Sequence, residues 1–403
     1  MKQAFIIDGV RTAVGSFGGS LAHTRADDMA AHVIRELVKK LPGIDPGEIS
    51  DVIMGCANQA GEDNRNVARM ALLLAGIPYT VPGETVNRLC ASGMSAVIHA
   101  CRAIRSDEGE AFIAGGVENM TRGPWVISKA STPFGRDAEM HDTSFGWRFI
   151  NKEMQRMYGT DSMGNTAENL AQKFGISRDD QDAFALWSQE KAAAARHSGR
   201  LGIEIVPIEV KKAKETILFD ADEFIKPSTT AEILSRLNPA FRKAEAGGSV
   251  TAGNSSGLND GAAALLTASE DFIKKNNLKP LSRIVSSGVA GVEPFIMGIG
   301  PVEASRLALS RAGLSLAQMD IIEINEAFAA QVLACTRSLG LEDKDERINP
   351  NGGAIAIGHP LGMSGTRILH SASIELSRRN ARYALVTMCI GVGQGYAVIL
   401  EKA

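Results

Sequence analysis

The sequence has few cysteines, no long apolar run and no large excess of charge of one sign. Its 403 residues include five cysteines without the paired spacing of a metal site, so we expect reduced thiols and no bound metal. A membrane span needs about 20 consecutive apolar residues, and no run approaches that length. The formal net charge of −3 gives no electrostatic argument for nucleic acid or an anionic membrane as partner. An apolar strand begins at Ala4 with no signal or transit segment before it, so we expect a cytoplasmic protein.

Hydrophobic residues make up 44% of the chain and charged residues 22%, which is enough to build large cores in two or three domains. Apolar strands alternate with amphipathic helices, and this pattern predicts an α/β fold with sheets between layers of helices. The predicted strands are Phe5–Ile7, Val52–Met54, Ala111–Ala114, Ala262–Thr267, Arg283–Val289, Ile321–Ile324, Ala384–Met388 and Ala397–Leu400. The predicted helices include Ala26–Lys39, Ala91–Arg105, Ser177–Arg196, Val302–Arg311, Glu326–Leu339 and Met363–Ser377.

Two short segments echo each other across the two halves of the chain. Cys90–Ser95 reads Cys-Ala-Ser-Gly-Met-Ser, and His359–Ser364 reads His-Pro-Leu-Gly-Met-Ser. Upstream, Gly43–Gly55 and Gly313–Asn325 share a turn, a short polar stretch, an Asp and an apolar strand. Coincidence between glycine-rich segments is the plain alternative, but two matches in one register favour a duplication. A duplicated domain could bring a thiol and an imidazole together at a pseudo-twofold axis.

The alternation weakens between about Thr121 and Ser249, an interval richer in loops, methionine and charge. We interpret this interval as an insertion in the first repeat, because Ala262–Thr267 resembles a strand that returns to that repeat. The prediction is a first half of residues 1–122 plus 250–274, an inserted loop domain of residues 123–249, and a second half of residues 275–403. A third, sequential domain is the alternative.

Cys90 precedes a predicted helix, where unpaired backbone N–H groups and the helix dipole favour a thiolate over a thiol. A free cysteine taken alone is more often a buried structural residue. His359 follows a loop with three glycines and leads into a helix N-terminus. The positive end of a helix disfavours an imidazolium, which predicts a neutral histidine able to accept a proton or donate a hydrogen bond.

Two further segments could contribute to a reaction centre. Cys389 begins a glycine-rich turn after a predicted strand, where a thiol could act as acid and base and free N–H groups could hold an oxyanion. A plain turn between strands is the alternative. Asn325 could cap the helix predicted from Glu326, or it could orient a water or a carbonyl oxygen in a site.

These motifs resemble those of the thiolases, the acyl-CoA C-acyltransferases, along essentially the whole chain. The matching segments are Asn87–Ser95, Ala252–Ala263, Asn325–Gln331 with Asn349–Gly365, and Met388–Gly395. The resemblance implies a duplicated thiolase fold with five-layered α-β-α-β-α packing, an inserted loop domain, and a homodimer or homotetramer. It also implies acyl-CoA and coenzyme A as ligands, with coenzyme A a substrate and no other cofactor.

The resemblance implies a role for each matching residue. Cys90 would be the nucleophile that receives the acyl group, and Cys389 would transfer a proton at the α-carbon or to the leaving group. His359 would activate Cys90 and form one oxyanion hole with a water held by Asn325, while the N–H groups of Cys90 and Gly391 would form a second. The residues that would line the substrate and coenzyme A path are Ala252, Ser256, Met163, Met297, Ala327 and Phe328, with Lys226 near the nucleotide.

The segment from Asp142 to Met163 is similar to that of thiolases that act on 3-oxoadipyl-CoA. Acetoacetyl-CoA thiolases usually have His-Met-Gly where this chain has Ser162-Met-Gly, although an acetoacetyl-CoA or a broad-range 3-oxoacyl-CoA substrate remains an alternative. A 3-oxoadipyl chain ends in a carboxylate and therefore calls for a cation. Arg148 and Arg136 are the candidates, and surface arginines are the alternative interpretation of both. From other classes, a decarboxylating ketosynthase and a non-catalytic acyl-CoA-binding protein remain as competing hypotheses.

Overall fold

The computed structural model describes residues 2–212 and 215–403, and ten of its strands join into one mixed sheet. These strands are β1 (Ala4–Arg11), β2 (Gly15–Ser16), β3 (Asp51–Gly55), β4 (Gly83–Val86), β5 (Ala111–Asn119), β10 (Asn259–Ser269), β11 (Ser282–Gly291), β12 (Ile321–Ile324), β13 (Tyr383–Ile390) and β14 (Gln394–Lys402). Two separate hairpins are β6 (Trp125–Ile127) with β7 (Met140–Asp142), and β8 (Ile208–Lys212) with β9 (Glu215–Phe219). The helices are α1 (Ala26–Lys40), α2 (Val67–Ala75), α3 (Ser92–Arg105), α4 (Lys152–Tyr158), α5 (Met163–Phe174), α6 (Arg178–His197), α7 (Ala231–Ser235), α8 (Glu270–Asn276), α9 (Gly300–Ala312), α10 (Ala329–Ser338), α11 (Ala354–Ile357) and α12 (Leu361–Arg378).

The order of the strands shows the duplication that the sequence echo predicts. The sheet runs β12-β13-β14-β11-β1-β10-β5-β3-β4, and β1 and β11 pair antiparallel at its centre. Outward from this junction, β1-β10-β5-β3 mirrors β11-β14-β13-β12, with the same parallel and antiparallel pairings in each half. The chain therefore contains two copies of one strand pattern joined edge to edge.

Five layers follow from the alternation of side chains along the strands. The first core lies between α1, α2 and one face of the first half's strands. The middle core encloses α3 and α12 between the two halves, and the third core packs α9 and α10 on the far face of the second half. On β14, for example, Val398 faces the middle core and Ile399 faces the third, as a period of two requires.

The interval between β5 and β10 leaves the sheet and returns to it. β10 pairs with both β1 and β5, so this interval is an insertion into the first half's strand order. It contains two hairpins and the helices from α4 to α7, of which only α6 was among the helices predicted from the sequence. Ser162 caps the start of α5 and Gly175 ends it in the left-handed region. The domain boundaries given above stay a prediction.

None of the helices within residues 2–212 and 215–403 combines the length and the apolar character needed to cross a bilayer.

The two echoed segments meet where α3 and α12 cross. Glycines make this contact possible, because a Cβ on Gly93 would overlap Thr366 and the carbonyl oxygen of Gly362. A Cβ on Gly116 of β5 would overlap that same carbonyl oxygen. The glycine of each repeated Gly-Met-Ser run is therefore needed for the close approach of the two halves.

We expect Gly116→Ala to lower the free energy of unfolding by about 1–3 kcal/mol, because the added methyl must displace backbone in a packed layer. Denaturant unfolding of purified protein measures this change. Gly43→Ala is the matched control, since that site is exposed and no atom lies within 4 Å of the added Cβ. Equal stability of the two variants would contradict the proposed crossing.

Candidate active site

Cys90 lies in a tight turn that enters α3. Leu89–Ala91 form one 3₁₀ turn, and Leu89 has φ of 47°, a left-handed conformation that is strained for leucine. The turn is held by Ser92, whose Oγ donates to the Leu89 carbonyl (2.7 Å) and accepts from the Arg88 N–H (2.9 Å). Local side-chain hydrogen bonds thus stabilise a backbone shape that would be unfavourable in an isolated peptide.

The thiolate expected at Cys90 is not the resting form. Burial raises the pKa of the Cys90 thiol to about 11, and the backbone N–H groups of Gly391 and of Cys90 itself only partly offset that rise. The helix terminus alone favours a thiolate, but desolvation of the thiol outweighs that effect. Cys90 therefore rests as a thiol and would have to lose its proton to act as the predicted nucleophile.

Hydrogen bonds fix the tautomer of His359. Ser364 Oγ donates to the Pro360 carbonyl (2.9 Å), so its 2.6 Å contact with His359 Nδ1 requires that Nδ1 carries the hydrogen. Nε2 is then the unprotonated nitrogen, and it lies 3.4 Å from Asn325 Nδ2. Burial, with a smaller effect of the Arg367 charge, lowers the pKa of His359 to about 3. The histidine is neutral at pH 7, in agreement with the sequence argument.

Asn325 does not cap the following helix. That helix begins at Ala329 with Phe328 at the N-cap, three residues after the predicted start. Asn325 follows β12, its Nδ2 faces the histidine, and its Oδ1 is buried without a hydrogen-bond partner in the described chain. Buried carbonyl oxygens are normally paired, so this oxygen is suited to hold a water or a ligand donor.

Glu326 connects the loops that carry Asn325 and His359, and it was missed in the sequence. Its buried carboxylate accepts from Asn349 Nδ2 (2.7 Å), Ser188 Oγ (2.6 Å) and the Ile355 N–H (3.2 Å). The available signal was an acidic residue directly after a buried strand, where burial demands hydrogen-bond partners. The carboxylate thereby sets the spacing between the two loops.

Cys389 lies near the end of β13, two strands out from β11 at the sheet junction, and is 1% exposed. It packs beside Met297, Ala327 and Phe328. Burial raises the pKa of its thiol well above the ordinary range, with the neighbouring Cys90 thiol adding to the shift. A protonated thiol is the form that a general acid needs.

Two cavities meet at Cys90. Cavity A, about 210 Å³, is lined by Thr143–Arg148 together with Asn58, Glu118 and Gly391. Cavity B has a volume of about 420 Å³ and extends from Cys90 on the side away from cavity A. The predicted site residues that line cavity B are Cys90, Met163, Lys226, Ala252, Ser256, Met297, Ala327, Phe328, His359 and Cys389. Asn325 lines neither cavity, and its Nδ2 contacts Nε2 of His359, which does line cavity B. The structure thus brings both thiols and the imidazole to one space.

One group of described side chains has spacing compatible with a metal, namely Cys56, Asp63 and Glu118. Its carboxylates already have partners, however. Asp63 accepts from the N–H groups of Gln59 and Gly61, and Glu118 accepts from three backbone N–H groups. Backbone donors therefore account for this cluster without an ion.

Comparison with known proteins identifies the family. A family model described as thiolase, N-terminal domain, matches residues 4–271, and one described as thiolase, C-terminal domain, matches residues 278–402. The chain belongs to the thiolase family. It is therefore an acyltransferase. Crystal structures of a Bacillus anthracis acetyl-CoA acetyltransferase (40% identity) and human mitochondrial 3-ketoacyl-CoA thiolase (42%) each superpose with a TM-score of 0.92, covering 100% of this chain and 99% of theirs. These matches confirm the predicted fold class.

Among curated relatives, the 3-oxoadipyl-CoA/3-oxo-5,6-dehydrosuberyl-CoA thiolase of Escherichia coli strain K12 is 57% identical over the full length of both chains. The beta-ketoadipyl-CoA thiolase of Pseudomonas knackmussii is 53% identical and covers 100% of this thiolase and 99% of its own length. The resemblance inferred from the sequence motifs is thereby confirmed.

The two candidate arginines of this thiolase occupy different places. Arg148 lines cavity A, whereas Arg136 is exposed in a loop between the strands of the β6–β7 hairpin and lines neither cavity A nor cavity B. Only Arg148 is therefore positioned to meet a substrate next to Cys90.

We expect Asn325→Ala to lower kcat by about 10²–10³-fold, the usual loss when one preorganised oxyanion donor is removed. Steady-state thiolysis measures the change, and iodoacetamide labelling of Cys90 checks that the site stays folded. Asn238→Ala, at an exposed asparagine, is the control and should match the wild type. Activity of Asn325→Ala within a few-fold of the wild type would contradict the role.

Because the raised pKa of Cys90 leaves little thiolate at neutral pH, its alkylation should accelerate with pH. Below a pKa of about 11 the thiolate fraction rises tenfold per pH unit, so we expect the iodoacetamide rate to climb by about that factor per unit from pH 6 to pH 9. Mass spectrometry of the Cys90 peptide gives the rate. A plateau reached near pH 7 would show an activated thiolate instead.

Proposed function

We propose that this thiolase cleaves 3-oxoadipyl-CoA with coenzyme A to give succinyl-CoA and acetyl-CoA, and that it can catalyse the reverse condensation. The main support for this chemistry is that Cys90, His359 and Cys389 all line cavity B. The substrate assignment is supported by the names of the 57% and 53% identical relatives. A separate cavity A opening at the nucleophile provides room for an acyl chain apart from the coenzyme A moiety.

In the first half-reaction, the Cys90 sulfur attacks C3 of the substrate while His359 Nε2 accepts the thiol proton. The resting pKa values, about 11 and about 3, are far apart, so proton transfer must accompany bond formation rather than precede it. The protonated Nε2 then becomes a donor and, with a water held by Asn325 Oδ1, stabilises the oxyanion. The N–H groups of Cys90 and Gly391 would form the second oxyanion hole.

Cleavage of the C2–C3 bond leaves the succinyl group on Cys90 as a thioester and releases acetyl-CoA as an enolate. Cys389 donates its proton to C2 of that enolate and takes a proton back from the His359 imidazolium, so that both groups are neutral again. In the second half-reaction, neutral His359 accepts the thiol proton of coenzyme A, the coenzyme A sulfur attacks the thioester, and Cys90 leaves and regains its proton from His359. Dividing the reaction at a covalent intermediate gives ping-pong kinetics.

Contacts along cavity B support binding of coenzyme A there. The backbone N–H and Oγ of Ser256 both donate to the Ala327 carbonyl (3.0 and 3.1 Å), which ties together two loops of the cavity wall. Lys226 is exposed at the wall, with Nζ 5.0 Å above the Phe224 ring, and can reach a phosphate. Coenzyme A is a substrate in this proposal, and no resident cofactor is needed.

We also propose a homodimer or homotetramer in the cytoplasm. β4 forms an edge of the sheet, and Leu74 and Tyr79 nearby are 50% and 79% exposed, which suits pairing of two copies. Trp125 on the β6–β7 hairpin is 70% exposed and offers a further apolar surface. The five free cysteines fit a reducing compartment.

The alternatives are less well supported. Ser162, which replaces the histidine usual in acetoacetyl-CoA thiolases, caps α5 by accepting from the Asn165 N–H. Its role is therefore structural in this chain. Cys389 occupies the third catalytic position where a ketosynthase usually has a histidine, and a non-catalytic binding protein would not need a second thiol in cavity B.

Incubation with 3-oxoadipyl-CoA in the absence of coenzyme A should leave a mass increase of one succinyl group on Cys90. Added coenzyme A should then release succinyl-CoA, because the thioester is the intermediate between the two half-reactions. Intact-protein mass spectrometry measures both steps, and Cys90→Ser serves as the unlabelled control. Acetyl-CoA formation with no adduct would contradict the covalent route.

A further inference from the structure

Cavity A contains one guanidinium without a counter-ion. Arg148 is the single cation among the described residues that line the cavity, and it is only partly exposed. Its Nη2 donates to Asn58 Oδ1 (3.1 Å) and the Asn58 carbonyl (3.4 Å). No Asp or Glu oxygen of the described chain lies within 4 Å of it, in contrast to Arg11, Arg200 and Arg347. Buried arginines are normally paired with an acidic group, so the guanidinium of Arg148 is suited to bind an anionic ligand.

The residues around Arg148 orient the fork toward the cavity. Asn58 Nδ2 donates to Thr143 Oγ1 (3.3 Å), and Thr143 donates onward to the Pro124 carbonyl (2.7 Å). These two hydrogen bonds orient the Asn58 side chain so that its Oδ1 accepts from Nη2 of Arg148. The Nε and Nη1 groups have no acceptor among the described residues, so each is free to donate to a carboxylate, and a bidentate pair would join one of them with the second hydrogen of Nη2.

Glu118 is the one acid among the described residues lining cavity A, and its charge opposes that of a bound carboxylate. Its oxygens accept from the N–H groups of Ala57 and Asn58 (both 3.0 Å) and of Gly362 (2.8 Å). Burial raises the pKa of Glu118 to about 7, so it is partly neutral near physiological pH. The charge of Arg148 therefore determines the sign of the electrostatic potential that an acyl chain meets in cavity A.

Resting on the proposed function, we infer that Arg148, held by Asn58, is the subsite that binds the terminal carboxylate of a dicarboxylic acyl chain. A succinyl group spans three C–C bonds, roughly 4 Å, from its thioester carbon to its carboxylate. Cys90 and Arg148 line the same cavity, which a succinyl chain in this proposal spans from the thioester to the guanidinium. The subsite selects substrates with a charged end and leaves the bond chemistry to Cys90 and its partners.

The test compares kcat/KM for 3-oxoadipyl-CoA with that for 3-oxohexanoyl-CoA, which has a methyl group in place of the carboxylate. Arg148→Gln should lower kcat/KM for the charged substrate about 10- to 100-fold, the usual range for a charged hydrogen-bonded contact. The value for the uncharged substrate should stay within about threefold of wild type. Arg148→Lys should recover part of the loss, since it keeps the charge without the fork.

Arg136→Gln is the matched control, because that arginine is exposed in the same segment and lines neither cavity A nor cavity B; both substrates should be unaffected. Asn58→Asp provides a second variant should Arg148→Gln not fold. It would place a carboxylate beside Nη2 and should cause the same selective loss.

Equal losses on both substrates, or an unchanged preference, in the folded variants would overturn the subsite while the thiolase function stands. A wild-type enzyme that cleaves 3-oxohexanoyl-CoA but not 3-oxoadipyl-CoA would instead overturn the proposed substrate.

Discussion

The crossing of α3 and α12 is the constraint on which the rest of the site depends. Each helix begins at one of the two echoed segments, so the distance between the Cys90 thiol and the His359 imidazole is set by how closely the two helices approach. Gly93, Gly362 and Gly365 allow backbone contact, and a single methyl group at any of them would meet occupied space. The duplication therefore contributes more than two similar halves, because it places two helix N-termini face to face inside a rigid middle layer.

Burial of the two thiols and the imidazole in the middle layer disfavours their charged forms. Desolvation raises the pKa of both reactive thiols and lowers that of His359, so all three groups are neutral before substrate arrives. A preformed thiolate–imidazolium pair would place two charges in a buried space. In the proposed mechanism charge would develop only during the reaction, on the carbonyl oxygen and on His359, and the low-dielectric surroundings would strengthen hydrogen bonds to that oxygen. The burial that suppresses the free thiolate would thus favour the proposed transition state.

Much of the architecture could be predicted from the sequence because short apolar strands and amphipathic helices carry local signals. The predicted Ile321–Ile324 strand matches its observed bounds, and Cys90 and His359 stood out through the repeated Gly-Met-Ser run. Features that depend on contacts between distant parts of the chain could not be predicted from the sequence. The helix start at Ala329, the pKa of Cys90 and the bridging role of Glu326 all depend on residues far apart in the chain that only the packed layers bring together.

The inserted segment contributes to the walls of both cavities but not to the groups proposed to react. It supplies Thr143–Arg148 to cavity A and Phe224, Lys226 and Phe241 to cavity B, but neither the reactive thiols nor the imidazole. A buried ionic network anchors it: Asp222 and Glu204 pair with Arg11 of β1, and Arg200 with Glu375 of α12. Such networks are costly to break because a lone buried charge remains. The anchors hold the insertion against both halves, so the proposed acyl-chain subsite can vary through side chains of the insertion while the helix crossing stays unaltered.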